Sequence, residues 1–422
     1  MGDDALAQIG IDSTRDAFRW IRDNGGSNMC CAWSDREDSH CVCHNSALGV
    51  KQYSEHENVK QVFEKSRGQS KYFHQSYSGQ ALLEACQRSV GVPACKLTRD
   101  VATRWNSTLL ACLSKWKNMA ALHQFDTNHG DKATDGWKNN RYSAFEWKIN
   151  NDTCGILAPV QSITVAMQAK NYPTVNTLLP GIDAVLLATH KDAPVRMPDG
   201  VILQPADLHV VTFAAREAMH ADFVDRFVDN MPAEDLRFFS IAALLDPTMK
   251  NWGWPGCRRD KAFAVQVFLA EYDANWAPPP APAAPAAGGA HAAAAAAPAF
   301  MQGLDFLLPA QAPAPPPLAP GPEMPAAEFV KSEAQKYLET GFAVTFVSGK
   351  DILDFWRMHA KEYPHLAKMA RQFLGCPASS ASVERIFSVA GQFFDDLRRQ
   401  LDDEKLEELM WAAINKGNRR KE

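Results

Sequence analysis

The sequence lacks any long apolar segment and any leader-like start. No stretch among its 422 residues approaches the roughly 20 apolar residues that a membrane-spanning helix needs. The first ten residues, MGDDALAQIG, have neither a basic start nor an apolar run, so they do not resemble a secretory signal. These absences argue against a membrane protein or a secreted one. The length and the ordinary share of hydrophobic residues favour a globular chain of about two to three domains.

A long basic patch is also absent from the sequence. The formal net charge is −5, the sequence pI is about 6.2, and no long basic run interrupts this balance. A protein that binds nucleic acid by itself usually carries a basic patch. We therefore expect any contact with DNA to be local and weak, or to depend on a DNA-binding module outside this chain. No membrane partner is expected.

Well-spaced pairs of metal-binding cysteines are missing as well. The ten cysteines are scattered, and no clean C-x-x-C pair accompanies the cluster His40-Cys41-Val42-Cys43-His44. A structural zinc site normally needs two separated ligand pairs, and the adjacent Cys30 and Cys31 are poorly placed for one tetrahedral site. Zinc binding is thus the disfavoured alternative. Without a secretory signal, reduced thiols in the nucleus or cytosol are expected.

Composition and periodicity divide the chain into four segments. Residues 1–53 contain a candidate strand at 17–22, and Asp23 follows it in a Gly-rich break. Ligand-binding groups collect at such strand ends in α/β folds, although an Asp-Asn-Gly turn without chemistry is the alternative. Residues 54–276 show helical spacing. Residues 277–327 are rich in Pro and Ala and are expected to be a disordered linker. Ordered structure is expected to resume in 328–422.

The stretch from Cys376 to Asn415 combines a small-residue loop, a carboxylate and two apolar-striped helices. Ser379, Ser380 and Ser382 are candidate N-caps of a helix whose first turn contains Glu384. A second helix is expected to start near Asp402, and its apolar stripe is formed by Leu406, Leu409, Met410 and Ala413. The stripe suits either a core-facing helix or a seam between two protein chains, and periodicity alone leaves both readings open.

The amino-acid sequence of this stretch resembles the C-terminal block of hAT-superfamily transposases. The matching elements are Trp356, Tyr363-Pro364, the run from Pro377 to Gly391, Arg398 with Leu401, and Asn415. Further matches lie upstream, in the order expected for the family. They are Asp23-Asn24 with Asn28, Cys41 to His44, Thr103 to Ser107, and Ala242 to Pro247. Gly25-Gly26 and Arg22 depart from the family's usual residues near Asp23.

The resemblance implies a fold and a set of site residues. The expected fold class is α/β with a large all-α part: a partial RNase H-like core interrupted by a long helical insertion, mostly helical overall. Asp23 and Glu384 would be catalytic acids that hold a divalent ion, Mg²⁺ or Mn²⁺, if the protein is active. Four residues would position DNA or the active site: Arg104, Trp105, Cys41 and His44. Five residues would carry dimerisation: Phe387, Leu401, Leu406, Leu409 and Ala413.

The acidic triad of such transposases is incomplete in this sequence. The first acid would lie on a strand well upstream of Asp23, and neither Asp3 nor Asp4 has a strand pattern around it. The family's DNA-binding zinc finger is not found either. We therefore expect a nuclear, transposase-derived protein that forms a homodimer or higher homo-oligomer and does not transpose independently. The alternatives are a cut-and-paste DNA transposase whose missing parts are encoded upstream, and a domesticated nuclear regulator without chemistry. A cytoplasmic location is the alternative to the nucleus.

Overall fold

The structure is a computed structural model that describes residues 20–22, 38–101, 105–169, 172–278, 331–342, 350–381, 384–385, 405 and 408. Helices dominate it, as the sequence predicts. They are α1 Val42–Ser54, α2 Glu57–Gln75, α3 Tyr77–Ser89, α4 Trp105–Lys117, α5 Met119–His129, α6 Asp135–Lys138, α7 Ala144–Met167, α8 Leu178–Thr189, α9 Val210–Val224, α10 Ala233–Leu244, α11 Lys261–Asn275, α12 Glu333–Glu339, α13 Lys350–His359 and α14 Pro364–Leu374. None of the described helices is long and apolar enough to cross a membrane.

Two short strand pairs accompany the helices. Strands β1 (Trp20–Arg22) and β2 (Asp38–His40) run parallel, with Arg22 opposite His40. Strands β3 (Val195–Arg196) and β4 (Ile202–Leu203) form an antiparallel pair. The strand expected at 17–22 is thus confirmed over its last three residues. The described strands are too few to establish an RNase H-like core, and the mostly helical character is the part of the expected fold that the structure shows.

One hydrophobic core joins the two ends of the described chain. Its buried side chains run from Val42 on α1 to Ala378 beyond α14, and they include apolar residues of α7, α8 and α10. Helices α1 and α9 cross closely at Gly49, where an added Cβ would overlap the ring of Phe223. The segments separated in the sequence as 54–276 and 328–422 therefore bury their apolar faces in a shared core.

A smaller core is built from aromatic rings. Phe73, Phe125 and Trp137 pack edge to face, with ring centroids 5.0–5.3 Å apart. Such contacts add to the free energy gained by burial, because ring edges and faces carry opposite partial charges. This cluster fixes α2, α3, α5 and α6 against one another.

The helices after residue 331 cap the end of α10. A helix leaves its last carbonyls without intrahelical partners, and here Tyr337 Oη donates to the carbonyl of Leu244 at 2.9 Å. In return, Lys250 Nζ donates to the carbonyls of Tyr337 and Thr340 at the end of α12. The two segments therefore satisfy each other's backbone groups as well as sharing apolar contacts.

Two polar side chains make local hydrogen bonds at helix ends. Ser107 lies in the first turn of α4, which begins at Trp105, and donates to Asp100 Oδ1 at 2.7 Å. Asp246 lies in the turn after α10, and its Oδ1 accepts from the Thr248 N–H at 2.8 Å. Its Oδ2 also accepts from Asn176 at 2.7 Å, which accounts for the burial of this carboxylate.

Candidate functional site

The start of α1 and the segment 376–385 meet in space although they are far apart in sequence. The Val42 N–H donates to the carbonyl of Ala378 at 3.4 Å. The Ser380 N–H donates to Cys41 Sγ, also at 3.4 Å, across 339 positions. We call this meeting point the junction, comprising residues 40–44, 376–381, 384 and 385.

The end of α7 anchors the C-terminal side of the junction. The buried Ser379 hydroxyl donates to the carbonyl of Met167 at 3.0 Å. Arg385 Nη2 donates to the carbonyl of Gln168 at 2.7 Å, and the Ala378 N–H donates to Thr174 Oγ1 at 2.9 Å. These contacts hold the loop before Glu384 in one position. No local pattern indicates Thr174 as an anchor, whereas Arg385 could have been suspected from its place beside Glu384.

Glu384 lies at the first turn of the helix that follows this loop. Its N–H donates to the carbonyl of Ser380 at 3.1 Å, and its Oε1 accepts from the Ser380 hydroxyl at 3.0 Å. Of the candidate N-caps, Ser380 therefore occupies the position that starts the helix, while Ser379 bonds to α7 instead. The carboxylate of Glu384 is exposed.

The parallel pairing of β1 and β2 places their carboxyl ends at one edge. Arg22 lies opposite His40, and Cys41 follows His40 directly into the junction. Asp23 is the next residue after Arg22 but lies outside the described residues. Arg22, the residue before Asp23, is thus paired with β2, the strand that leads into the junction. The geometry of the Asp23 side chain remains a prediction.

The two cysteines of the junction have opposite acidities. A hydrogen bond from Cys43, followed by hydrogen bonds from Ser380, lowers the pKa of the Cys41 thiol to about 6. The same contact with Cys41, together with burial, raises the pKa of Cys43. Cys43 Sγ lies 3.8 Å from the carbonyl of Thr164, to which it can donate. Cys41 is therefore the more acidic thiol of the two.

The described residues do not supply a metal site. No three His, Cys, Asp or Glu side chains among them come together as ligands. The zinc alternative at Cys41, Cys43 and His44 thus gains no support. Glu384 offers hard oxygen ligands of the kind that Mg²⁺ prefers, but a single carboxylate does not hold the ion. A divalent ion therefore belongs only to the alternative function considered below.

The remaining predicted site residues are divided between described and undescribed parts of the chain. Trp105 begins α4 and packs, partly buried, against the main core, as expected of a buried aromatic anchor. His44 lies in the first turn of α1 and is partly exposed. Arg104 lies outside the described residues. So do the five residues predicted for dimerisation: Phe387, Leu401, Leu406, Leu409 and Ala413.

Comparison with known proteins gives the class of the chain. Residues 333–414 match the model of the hAT family C-terminal dimerisation region. The human zinc finger BED domain-containing protein 6 is 23% identical over 94% of this chain and 40% of its own length. The zinc finger BED domain-containing protein DAYSLEEPER of Arabidopsis thaliana is 34% identical over 20% of this chain and 12% of its own length. An AC transposase of Zea mays is 36% identical over 16% of this chain and 9% of its own length.

These matches support a hAT-superfamily transposase-like protein. The matched region includes α12, α13 and α14 together with the C-terminal side of the junction, and its described residues contribute to the main core. The chain spans 40% of the human relative's length and smaller shares of the other two.

Proposed function

We propose that this transposase-derived protein self-associates through its C-terminal region and works in the nucleus as a homodimer or higher homo-oligomer. The observation that carries the proposal is the match of residues 333–414 to a dimerisation region. The described residues of that region up to Arg385 contact α7, α10 and the start of α1. The proposed seam between copies is formed by the predicted dimerisation residues, which lie outside the described residues.

The seam is tested by the mass of the particle in solution. The wild-type chain is expected to form dimers or larger particles at micromolar concentration in analytical ultracentrifugation. Leu406→Asp combined with Leu409→Asp should shift the distribution to monomer, because two charges would be buried in an apolar seam. Leu187→Asp is the matched control, since this leucine is 48% exposed on α8, outside the region. A wild-type chain that stays monomeric, or an equal loss in the control, contradicts the proposal.

The alternative function is metal-dependent cleavage of DNA as part of a cut-and-paste transposase. The junction favours this alternative. Strand β2 pairs with Arg22, the residue before Asp23, and Cys41 directly after β2 contacts the loop that positions Glu384. Glu384 and Asp23 would contribute oxygen ligands for Mg²⁺ or Mn²⁺, and a further acid would come from outside this chain. DNA binding by the acidic chain alone would be weak.

Cleavage is tested by nicking of supercoiled DNA with Mg²⁺ or Mn²⁺. Metal-dependent nicking that disappears in Glu384→Gln, but persists in Glu408→Gln, would establish the alternative. Glu408 is a suitable control because it is exposed and pairs only locally with Lys405, at 2.8 Å. A chain that self-associates but does not nick DNA fits the first proposal, or a nuclear regulator without chemistry.

A further inference from the structure

Cys41 occupies a position that favours a thiolate. It is the N-cap of α1, where the helix dipole favours negative charge, although its sulfur makes no capping hydrogen bond. The Ser380 N–H donates a hydrogen bond to its sulfur from across the junction at 3.4 Å. The dipole and this N–H both interact more strongly with the thiolate than with the thiol. Cys43 and then Ser380 lower the pKa of Cys41 against the opposing effect of burial.

Cys43 is a second free thiol within the same helical turn. Residues two positions apart have Cα atoms at most about 7 Å apart, and disulfides usually span about 4.4–6.8 Å. A bond between these sulfurs is therefore within reach. It would be strained at a helix start, and strained disulfides are readily reduced again.

We propose that Cys41 and Cys43 are an oxidation site at which a reversible disulfide uncouples the start of α1 from the loop before Glu384. The oxidant is hydrogen peroxide. The Cys41 thiolate attacks one peroxide oxygen, an S–O bond forms, the O–O bond breaks, and hydroxide leaves and takes up a proton as water. Cys43 then loses its proton and attacks the Cys41 sulfur. The S–S bond forms, the S–O bond breaks, and a second water leaves.

Burial decides which oxidant can act. Cys41 is only 1% exposed, so the reagent must be about the size of water, as peroxide is. Cys43 is partly exposed and closes the bond from the side nearer to solvent. Two other cysteines serve as internal references, because burial raises the pKa of Cys112 to about 12 and also raises that of Cys154. These two remain protonated near neutral pH and are expected to stay reduced.

The disulfide has a consequence on the other side of the junction. A sulfur bound to Cys43 carries no negative charge, so the Ser380 N–H loses its charged acceptor. Ser380 also provides the carbonyl that accepts from Glu384 and the hydroxyl that donates to its carboxylate. Oxidation should therefore loosen the loop that positions Glu384. This inference depends neither on self-association nor on DNA cleavage.

The test uses the wild-type chain treated with increasing peroxide. The remaining thiols are alkylated in denaturant and the peptides are weighed. The expected result is a joint loss of alkylation at Cys41 and Cys43, restored by dithiothreitol, while Cys112 and Cys154 stay alkylated. Amide hydrogen exchange of the peptide covering 376–385 should become several-fold faster in the oxidised protein. In Cys43→Ser, whose hydroxyl can still donate to Thr164, no disulfide should form and exchange should stay at the reduced rate.

Two outcomes would overturn the proposal. One is full alkylation of Cys41 and Cys43 at peroxide doses that already oxidise the exposed Cys95. The other is a disulfide between these two cysteines that leaves exchange in 376–385 unchanged. The peptide measurements on the wild-type chain decide the matter even if a variant fails to fold.

Discussion

The indole N–H of Trp356 donates to the backbone carbonyl of Leu245 at 2.9 Å, across 111 positions of the chain. This buried bond lies beside the one from Tyr337 to Leu244. Side chains from the dimerisation region thus complete the C-terminal end of α10. The described residues of that region therefore contribute to the hydrophobic core.

Removing the Tyr337 hydroxyl tests this capping. Tyr337→Phe keeps the ring but leaves the Leu244 carbonyl buried without its partner, so the free energy of unfolding should fall by about 1–3 kcal/mol. The measurement is chemical denaturation. Tyr77→Phe is the control, because Tyr77 is 93% exposed and its change should be negligible. Equal stability of the two variants would show that the bond contributes nothing.

The carboxylate of Glu333 holds the start of α14. It accepts from the His365 N–H at 3.0 Å and from the Tyr272 hydroxyl at 2.8 Å. Glu333→Ala leaves both donors unpaired, and we expect a loss of about 1–3 kcal/mol in thermal or chemical unfolding. Glu339→Ala removes an exposed carboxylate paired only with Lys331 and should change stability by less than about 1 kcal/mol. Similar losses in both variants would contradict the capping role.

The buried amine of Lys115 makes stability depend on pH. Burial lowers its pKa from 10.5 to about 8, and Nζ donates to Ser70 Oγ at 2.9 Å. Between about pH 8 and 10.5 the unfolded chain holds a proton that the folded protein has released. The contribution of Lys115 to stability therefore rises with pH through this window.

Lys115→Met should remove that dependence. At pH 7 the variant is expected to be as stable as the wild type or more so, because methionine avoids burying a charge. The advantage should shrink as pH rises above about 8, the folded-state pKa. Denaturation at several pH values measures the difference, and Lys117→Met, exposed on the same helix, is the control. A wild-type advantage that grows as pH falls would contradict the assignment.

The close crossing of α1 and α9 depends on the absence of a side chain at residue 49. Gly49→Ala forces the new Cβ against the Phe223 ring, and overpacking of this kind costs about 1–3 kcal/mol. Phe223→Leu in the same chain should recover part of the loss, so the two changes should not be additive. Gly253→Ala is the control, because nothing lies within 4 Å of a Cβ there. Additive effects in unfolding experiments would count against direct contact.

The sequence predicted the helical character and the end of β1. Both follow from local patterns of apolar residues. The sequence did not predict how residues 40–44 contact the loop before Glu384. Ser379 was expected to cap a helix, but its hydroxyl bonds to Met167, because the tertiary partner lies 212 positions away and leaves no local pattern.

The capping of α10 could not be predicted from the sequence either. Tyr337 and Trp356 are aromatic residues that any core would bury, and nothing near them in sequence indicates Leu244 and Leu245 as partners. Hydrogen bonds across such distances depend on the final packing of helices rather than on local preference. The catalytic and dimerisation assignments at Asp23, Arg104 and Leu406 rest on the resemblance and stay predictions.

The junction can form only late in synthesis, because its two sides lie far apart in the sequence. Cys41 emerges long before Ser380, its partner 339 positions later. At about 5–20 residues per second, the interval is roughly 17–70 s. During that time the groups of α1 and of the end of α7 that contact Ala378, Ser379 and Ser380 have no partner from this loop. We therefore expect nascent chains arrested before residue 376 to need chaperone protection that the completed chain does not.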